Sequence, residues 1–110
     1  MNSLQHPSLT EIARTLAPVF RRNSIRKAIL FGSFARGEAS RRSDVDLILL
    51  QDTDKRFLDR YDGLLLELNQ AIPGLSVEPL IYTPQEFDRM QDRPFIQRAL
   101  AEGKVIYERK

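Results

Sequence analysis

Two carboxylates at the start of an apolar run constrain the fold of this chain more than any other feature. Asp44 and Asp46 lead directly into residues 47–50, which are four aliphatic residues without polar alternation. Such a run indicates a strand that is covered on both faces, as in α/β proteins. Because alternate residues of a strand point to the same side, we expect Asp44 and Asp46 to project together.

The rest of the pattern alternates strands with helices. Further strands are predicted over residues 26–31, 75–82 and 105–108, with 46–50 as the second strand in chain order. The first predicted helix begins at a capping box at Ser8 and kinks or ends near Ala17, before Pro18. The longest helix is predicted over residues 55–72. Two more are predicted, one from Thr83 onward and one around residues 95–101 with Gly103 as its closing residue. Pro79 places the third strand at a sheet edge or bulge. The predicted class is α/β, a small mixed sheet packed with helices in one domain over residues 1–110.

Composition excludes several functional classes. The 110 residues are 42% hydrophobic and 29% charged, which is ordinary for a globular protein. Cysteine is absent, so disulfides and thiol chemistry are excluded and a cytoplasmic location is the default expectation. The single histidine, His6, leaves little room for zinc chemistry. No apolar run approaches about 18 residues, so we expect no membrane contact. A net charge of +2 gives no reason to expect direct binding of nucleic acid.

The acidic pair indicates a metal site. Two neighbouring carboxylates repel each other, and a cation between or beside them relieves that repulsion. An oxygen-only ligand set suits Mg²⁺ or Mn²⁺, which keep several waters and bind substrate phosphates. The alternative interpretation is a solvated strand entrance in which one aspartate caps a turn.

A phosphate-binding turn is predicted just before the acidic pair. Gly32 permits a sharp turn at the end of the preceding strand, and Ser33 opens a short helix or nest whose N–H groups can hold a phosphate. Arg36 and Arg42 lie on the connection between the two strands and are placed to neutralise phosphate charge. Ser33 is equally suited to a plain N-cap, and Arg42, like Arg41, to a solvated loop.

These residues resemble a known family. Gly32-Ser33, ten residues and then Asp44-x-Asp46 is similar to the signature of the DNA polymerase β-like nucleotidyltransferase superfamily. More narrowly, LFGSFARGEASRRSDVDLILL resembles the minimal nucleotidyltransferases, which include the antitoxin halves of HEPN–MNT toxin–antitoxin pairs. The family's third carboxylate, usually Asp on a later strand, corresponds here to Glu78 in SVEPLIY. Without the resemblance, Glu78 is an ordinary residue of an edge strand.

The resemblance implies an activity and a partner. It implies that Asp44, Asp46 and Glu78 hold divalent metal and act in catalysis, while Gly32, Ser33 and the arginines bind ATP. It also implies transfer of AMP to a tyrosine of a HEPN toxin, within a hetero-oligomer. Two alternatives remain open: inhibition of the partner by contact alone, and transfer to a small-molecule or RNA acceptor.

Overall fold

The mixed sheet has four strands, and the helices pack on it. The computed structural model describes residues 7–39 and 44–109. The elements are α1 (Leu9–Arg22), β1 (Ile25–Phe31), α2 (Ser33–Arg36), β2 (Asp44–Gln51), a 3₁₀ turn (Leu58–Tyr61), α3 (Leu64–Ala71), β3 (Ser76–Tyr82), α4 (Pro84–Arg89), α5 (Pro94–Glu102) and β4 (Lys104–Glu108). The strand order is β3-β2-β1-β4, in which β2 is parallel to β3 and the other pairs are antiparallel. The predicted class is confirmed, and so is the edge position of β3.

The second strand is buried on both faces because it is central and has helices on each side. Val45, Leu47 and Leu49 share one core with residues of α1 and α3, among them Leu16 and Leu68. Ile48 and Leu50 share the other core with Phe87 of α4 and Ile96 of α5. The absence of polar alternation along this strand therefore follows from two apolar surroundings instead of one.

Two helices begin with the predicted capping boxes. The Ser8 hydroxyl accepts from the Glu11 N–H at 3.1 Å, and the Ser8 N–H donates to the Glu11 carboxylate at 2.7 Å. The same exchange joins Thr83 and Glu86 at the start of α4. Each exchange satisfies N–H groups that have no partner within the helix.

Pro18 does not end the first helix. The helix was expected to kink or end near Ala17, but it continues through Pro18 to Arg22. Val19 and Phe20, which follow the proline, are buried in the core. Burial of these two side chains offsets the lost backbone hydrogen bond, because packing contributes most of the stability of a helix in a protein.

The prediction of one long helix over residues 55–72 is wrong. The segment forms the 3₁₀ turn Leu58–Tyr61 and then, after Gly63 at φ +80°, the separate helix α3. Apolar residues recur at helical spacing here, yet Leu58 is 77% exposed and Leu65 is 41% exposed. The spacing therefore does not mark one buried face.

An ion pair between the buried Arg60 and the partly exposed Glu86 anchors this segment. The Arg60 side chain is only 6% exposed, and its Nη1 and Nη2 atoms donate to the two Glu86 carboxylate oxygens at 2.6 and 2.9 Å. Its Nε atom donates to the Lys55 carbonyl at 3.0 Å. Hydrogen bonds from Arg60 and from the Thr83 N–H lower the pKa of Glu86 to about 2. This network ties the 3₁₀ turn to the start of α4.

Gly103 follows the last helix as predicted. Close packing explains this glycine, and a left-handed backbone does not. Its φ is −73°, so the position does not demand a left-handed conformation. A Cβ atom here would lie 2.5 Å from the Ala99 carbonyl oxygen and 2.7 Å from Cγ2 of Ile29. Glycine is needed because α5 and β1 approach this backbone closely.

Across residues 7–39 and 44–109, no helix is both long enough and apolar enough to cross a bilayer.

The Arg60–Glu86 pair makes stability sensitive to acid. We expect Glu86→Gln to lower the free energy of unfolding at pH 7 by about 2–3 kcal/mol, because it leaves a buried guanidinium without its counter-charge. The folded-state pKa of Glu86 lies below its ordinary 4.5, so its contribution is present above pH 4.5 and is lost as the pH falls toward 2. The loss of stability between pH 5 and 3 should therefore be smaller in the variant, as measured by urea unfolding.

Asp52→Asn is the matched control for this measurement. Asp52 forms an ion pair with Arg26 at 3.0 Å and accepts from Arg109 at 2.8 Å, but its side chain is 45% exposed. We expect a cost below about 1 kcal/mol because water screens the pair. Equal costs for the two variants would contradict the assigned importance of the buried pair.

Candidate active site

Strand pairing brings the predicted carboxylates together at one end of the sheet. Asp46 is the Cα partner of Phe31 on β1 and of Glu78 on β3, and Asp44 is one alternation earlier on β2. Asp44 and Asp46 share their strand face with Ile48, which packs against the helices α4 and α5. The three carboxylates therefore project from the same face of adjacent strands.

The surroundings raise the pKa of two of these carboxylates, Glu78 and Asp46. A hydrogen bond to the Asp44 side chain, together with the Asp44 charge, raises the pKa of Glu78. Burial raises the pKa of Asp46, the Asp44 charge adds to this, and the Arg36 charge opposes it. Crowded negative charge of this kind is relieved by a proton or by a bound cation.

The three carboxylates are chemically suited to a hard divalent cation, but their side chains do not converge on one point. Carboxylate oxygens are the ligands that Mg²⁺ and Mn²⁺ prefer. Within the described residues, no three acidic or histidine side chains form a group ready to hold a metal. The negative charge of Asp44 acts on Glu78. A cation bound by both side chains would relieve this repulsion.

Gly32 is required twice at this site. Its φ of +77° and ψ of −155° belong to a conformation that other residues rarely adopt. A Cβ atom at this position would collide with Oδ2 of Asp46 and would lie 3.3 Å from its Cγ. The glycine thus lets the end of β1 turn sharply and leaves room for the Asp46 carboxylate.

The predicted helical turn after Gly32 is present. Ser33 is the first residue of α2, and the Glu38 N–H closes the turn by donating to the Ser33 carbonyl at 2.9 Å. Gly37, at φ +74°, ends it in the left-handed conformation. Ser33 therefore stands at the N-terminal end of a single turn that directly follows the strand carrying Phe31.

Arg36 is held by two carboxylates that the sequence pattern did not single out. Its Nε atom donates to Glu38 at 2.9 Å and its Nη1 atom to Glu102 at 3.2 Å. These two hydrogen bonds raise the pKa of Arg36, and its charge still reaches Asp46. A phosphate bound by Arg36 must compete with these partners. Arg42, the other predicted phosphate ligand, lies outside the described residues, as does Arg41.

Comparison with known proteins shows the family. Residues 14–110 match the profile of the family described as "Polymerase beta, Nucleotidyltransferase". The chain belongs to this nucleotidyltransferase family, and the class of enzyme predicted from the motif is confirmed.

Two relatives from Methanocaldococcus jannaschii give the family a narrower context, and both carry the name "putative protein adenylyltransferase". One is 32% identical over 87 residues, which is 78% of this chain and 82% of the relative. The other is 36% identical over 85 residues, which is 74% of this chain and 57% of the relative.

Solved structures share the fold at low sequence identity. A toxin–antitoxin crystal structure with AMP-PNP matches with a TM-score of 0.65 at 20% identity, over 89% of this chain and 74% of that chain. A complex of tri-AMPylated Shewanella oneidensis HEPN toxin with MNT antitoxin gives 0.59 at 16% identity, over 92% and 73%. At these identities the likeness establishes the architecture.

The contact between Gly32 and Asp46 can be tested with a second glycine as the control. Gly37→Ala meets no atom within 4 Å, so it should cost only the left-handed backbone penalty of about 1–2 kcal/mol. Gly32→Ala should cost about 1 kcal/mol more, because Asp46 must leave its preferred rotamer. Free energies of unfolding from urea titration measure both.

A double substitution shows whether Asp46 causes the additional cost. In an Asp46→Ala background, the cost of Gly32→Ala should fall by about 1 kcal/mol, because no carboxylate oxygen remains to collide. The unfavourable backbone conformation at ψ −155° should account for the cost that remains. A cost of Gly32→Ala that is the same with and without the Asp46 side chain would contradict the contact.

Proposed function

We propose that this protein is a metal-dependent adenylyltransferase that moves AMP from ATP to a tyrosine hydroxyl of a HEPN toxin. It would act in the cytoplasm as the antitoxin, within a hetero-oligomer with that toxin. The observation that carries the proposal is the group of Asp44, Asp46 and Glu78 on one sheet face, beside the Gly32-Ser33 turn. The relatives named for adenylyl transfer, and the toxin–antitoxin complexes with the same fold, support this choice of donor and partner.

Asp44, Asp46 and Glu78 are the proposed ligands of Mg²⁺ or Mn²⁺. Their repulsion in the absence of a cation supports the assignment, as does their purely oxygen chemistry. A pair of divalent ions, when bound, neutralises the phosphates and stabilises the entering and leaving oxygens of an in-line displacement.

The remaining site residues position the nucleotide. Ser33, with its hydroxyl and its N–H at the start of α2, is proposed to hold the terminal phosphates, because helix-start N–H groups suit anions. Arg36 adds a fixed positive charge that already acts on Asp46. On phosphate binding, Arg36 would exchange part of its contact with Glu38 or Glu102 for phosphate oxygens.

The proposed transfer forms one bond and breaks one. The tyrosine oxygen attacks the α-phosphorus of ATP, the bond from that phosphorus to the bridging oxygen breaks, and pyrophosphate leaves. The hydroxyl proton is proposed to pass to Glu78, whose carboxylate lies on the edge strand of the sheet.

Substitution of the paired aspartates tests the proposal. Asp44→Asn should lower the rate of AMP transfer by about a thousandfold, because one charged ligand of the site is lost. It should leave the free energy of unfolding unchanged or higher, since it removes repulsion with Glu78. The measurement is the intact mass of a HEPN toxin after incubation with this protein, ATP and Mg²⁺.

Two results would contradict the proposal in different ways. A partner that is inhibited but keeps its unmodified mass would show inhibition by contact alone. An Asp44→Asn protein that fails to fold would show that the carboxylate is structural. Arg26→Gln is the control, because Arg26 pairs with Asp52 and is not among the proposed site residues.

A further inference from the structure

A small pocket borders the carboxylate group on its β1 side. Its volume is about 180 Å³, and it lies between the end of β1 and the helix α5. Phe31 and Phe95 form aromatic walls, with ring centroids 5.6 Å apart and planes at 85°. Gly32 and Ala99 also line it. The sequence pattern gave no role to this part of α5.

The pocket and the carboxylates share two positions. Phe31 is the direct cross-strand partner of Asp46, and both are on the sheet face that α5 covers. Gly32 lines the pocket, and a carboxylate oxygen of Asp46 lies where a side chain at position 32 would begin. A ligand in the pocket therefore lies beside the Gly32-Ser33 turn. Glu78 lies on the opposite side of Asp46, on β3.

The lining suits one planar, partly polar ring system. The pocket is smaller than the roughly 300–1,000 Å³ of sites for drug-sized ligands, so it has room for little more than a ring. Aromatic side chains provide stacking surfaces for any nucleobase. Glu102 and Arg98 add a carboxylate and a cation to the lining. The carboxylate can accept a hydrogen bond from an exocyclic amino group of a base.

We propose that this pocket binds the base of the donor nucleotide, with Phe95 as its stacking wall. The inference rests on the proposed function, because it takes a nucleotide as the donor. Phe95 is 49% exposed, so a ring can reach its surface without unfolding α5. Gly32 and Arg36 belong both to the phosphate-binding turn and to the lining of the pocket, so a base bound here lies next to the proposed phosphate site. The acceptor would then bind on the other side of Asp46, where Glu78 lies.

A single tryptophan provides a direct reading of stacking. The chain contains no tryptophan, so all tryptophan emission of a Phe95→Trp variant comes from position 95. Addition of ATP with Mg²⁺ should quench this emission with a saturating dependence on ATP. Inorganic tripolyphosphate with Mg²⁺ should bind without quenching, because it carries no base. Calorimetry confirms that both probes are bound.

Removal of the wall should weaken nucleotide binding selectively. Phe95→Ala should weaken binding of ATP with Mg²⁺ about tenfold and leave binding of tripolyphosphate unchanged, in line with the loss of one stacking contact. Leu100→Ala is the matched control, because Leu100 is on the same helix, is 41% exposed and does not line the pocket. This control should leave both affinities unchanged. Circular dichroism and thermal unfolding check that all variants fold.

The outcomes separate this inference from the proposed function. If the wild-type protein binds no ATP with Mg²⁺ by calorimetry, the proposed function fails. If it binds ATP, but Phe95→Ala binds equally well and Phe95→Trp shows no quenching, only the base pocket is overturned. A Phe95→Ala variant with unchanged ATP affinity and a raised KM for the partner protein would assign the pocket to the acceptor, which also overturns the inference.

Discussion

The candidate site depends on one close contact. The Asp46 carboxylate occupies the space that a side chain at position 32 would fill. This contact joins the end of β1 to the start of β2, and any larger residue at position 32 would displace the carboxylate. The antiparallel pairing of Phe31 with Asp46 sets the register that brings Gly32 and Asp46 together. The turn and the acidic pair are therefore one structural unit, although ten residues lie between them along the chain.

The central position of β2 explains how so much negative charge can be held in place. Its residues 47–50 are buried on both faces, so the strand cannot slip by one position without moving aspartates into a core and aliphatic residues out of it. The packing free energy of two cores thus holds Asp44 and Asp46 beside Glu78 against their repulsion. The fold thus fixes the backbone positions of the three carboxylates, although their side chains do not converge on one metal position in the described residues.

The sequence predicted the parts of the site that depend on local geometry. The sharp turn at Gly32, the helical turn at Ser33 and the common side of Asp44 and Asp46 all follow from short-range rules of strands and turns. Glu78 came from resemblance alone, and the parallel pairing of β2 with β3 explains its place.

Contacts between distant parts of the chain could not be predicted in this way. Arg36 with Glu102, and Arg60 with Glu86, join residues 66 and 26 positions apart, and no periodic pattern marks such pairs. The single helix expected over residues 55–72 failed for the same reason. The spacing shows which residues are apolar, but it does not show that a buried arginine needs a carboxylate partner.

The location of a bound metal tests the central claim most directly. Crystals grown with Mn²⁺ and a non-hydrolysable ATP analogue should show an anomalous scattering peak about 2.1 Å from carboxylate oxygens of both Asp44 and Asp46. Bound nucleotide without a metal peak at these residues, or a peak elsewhere in the molecule, would contradict the account.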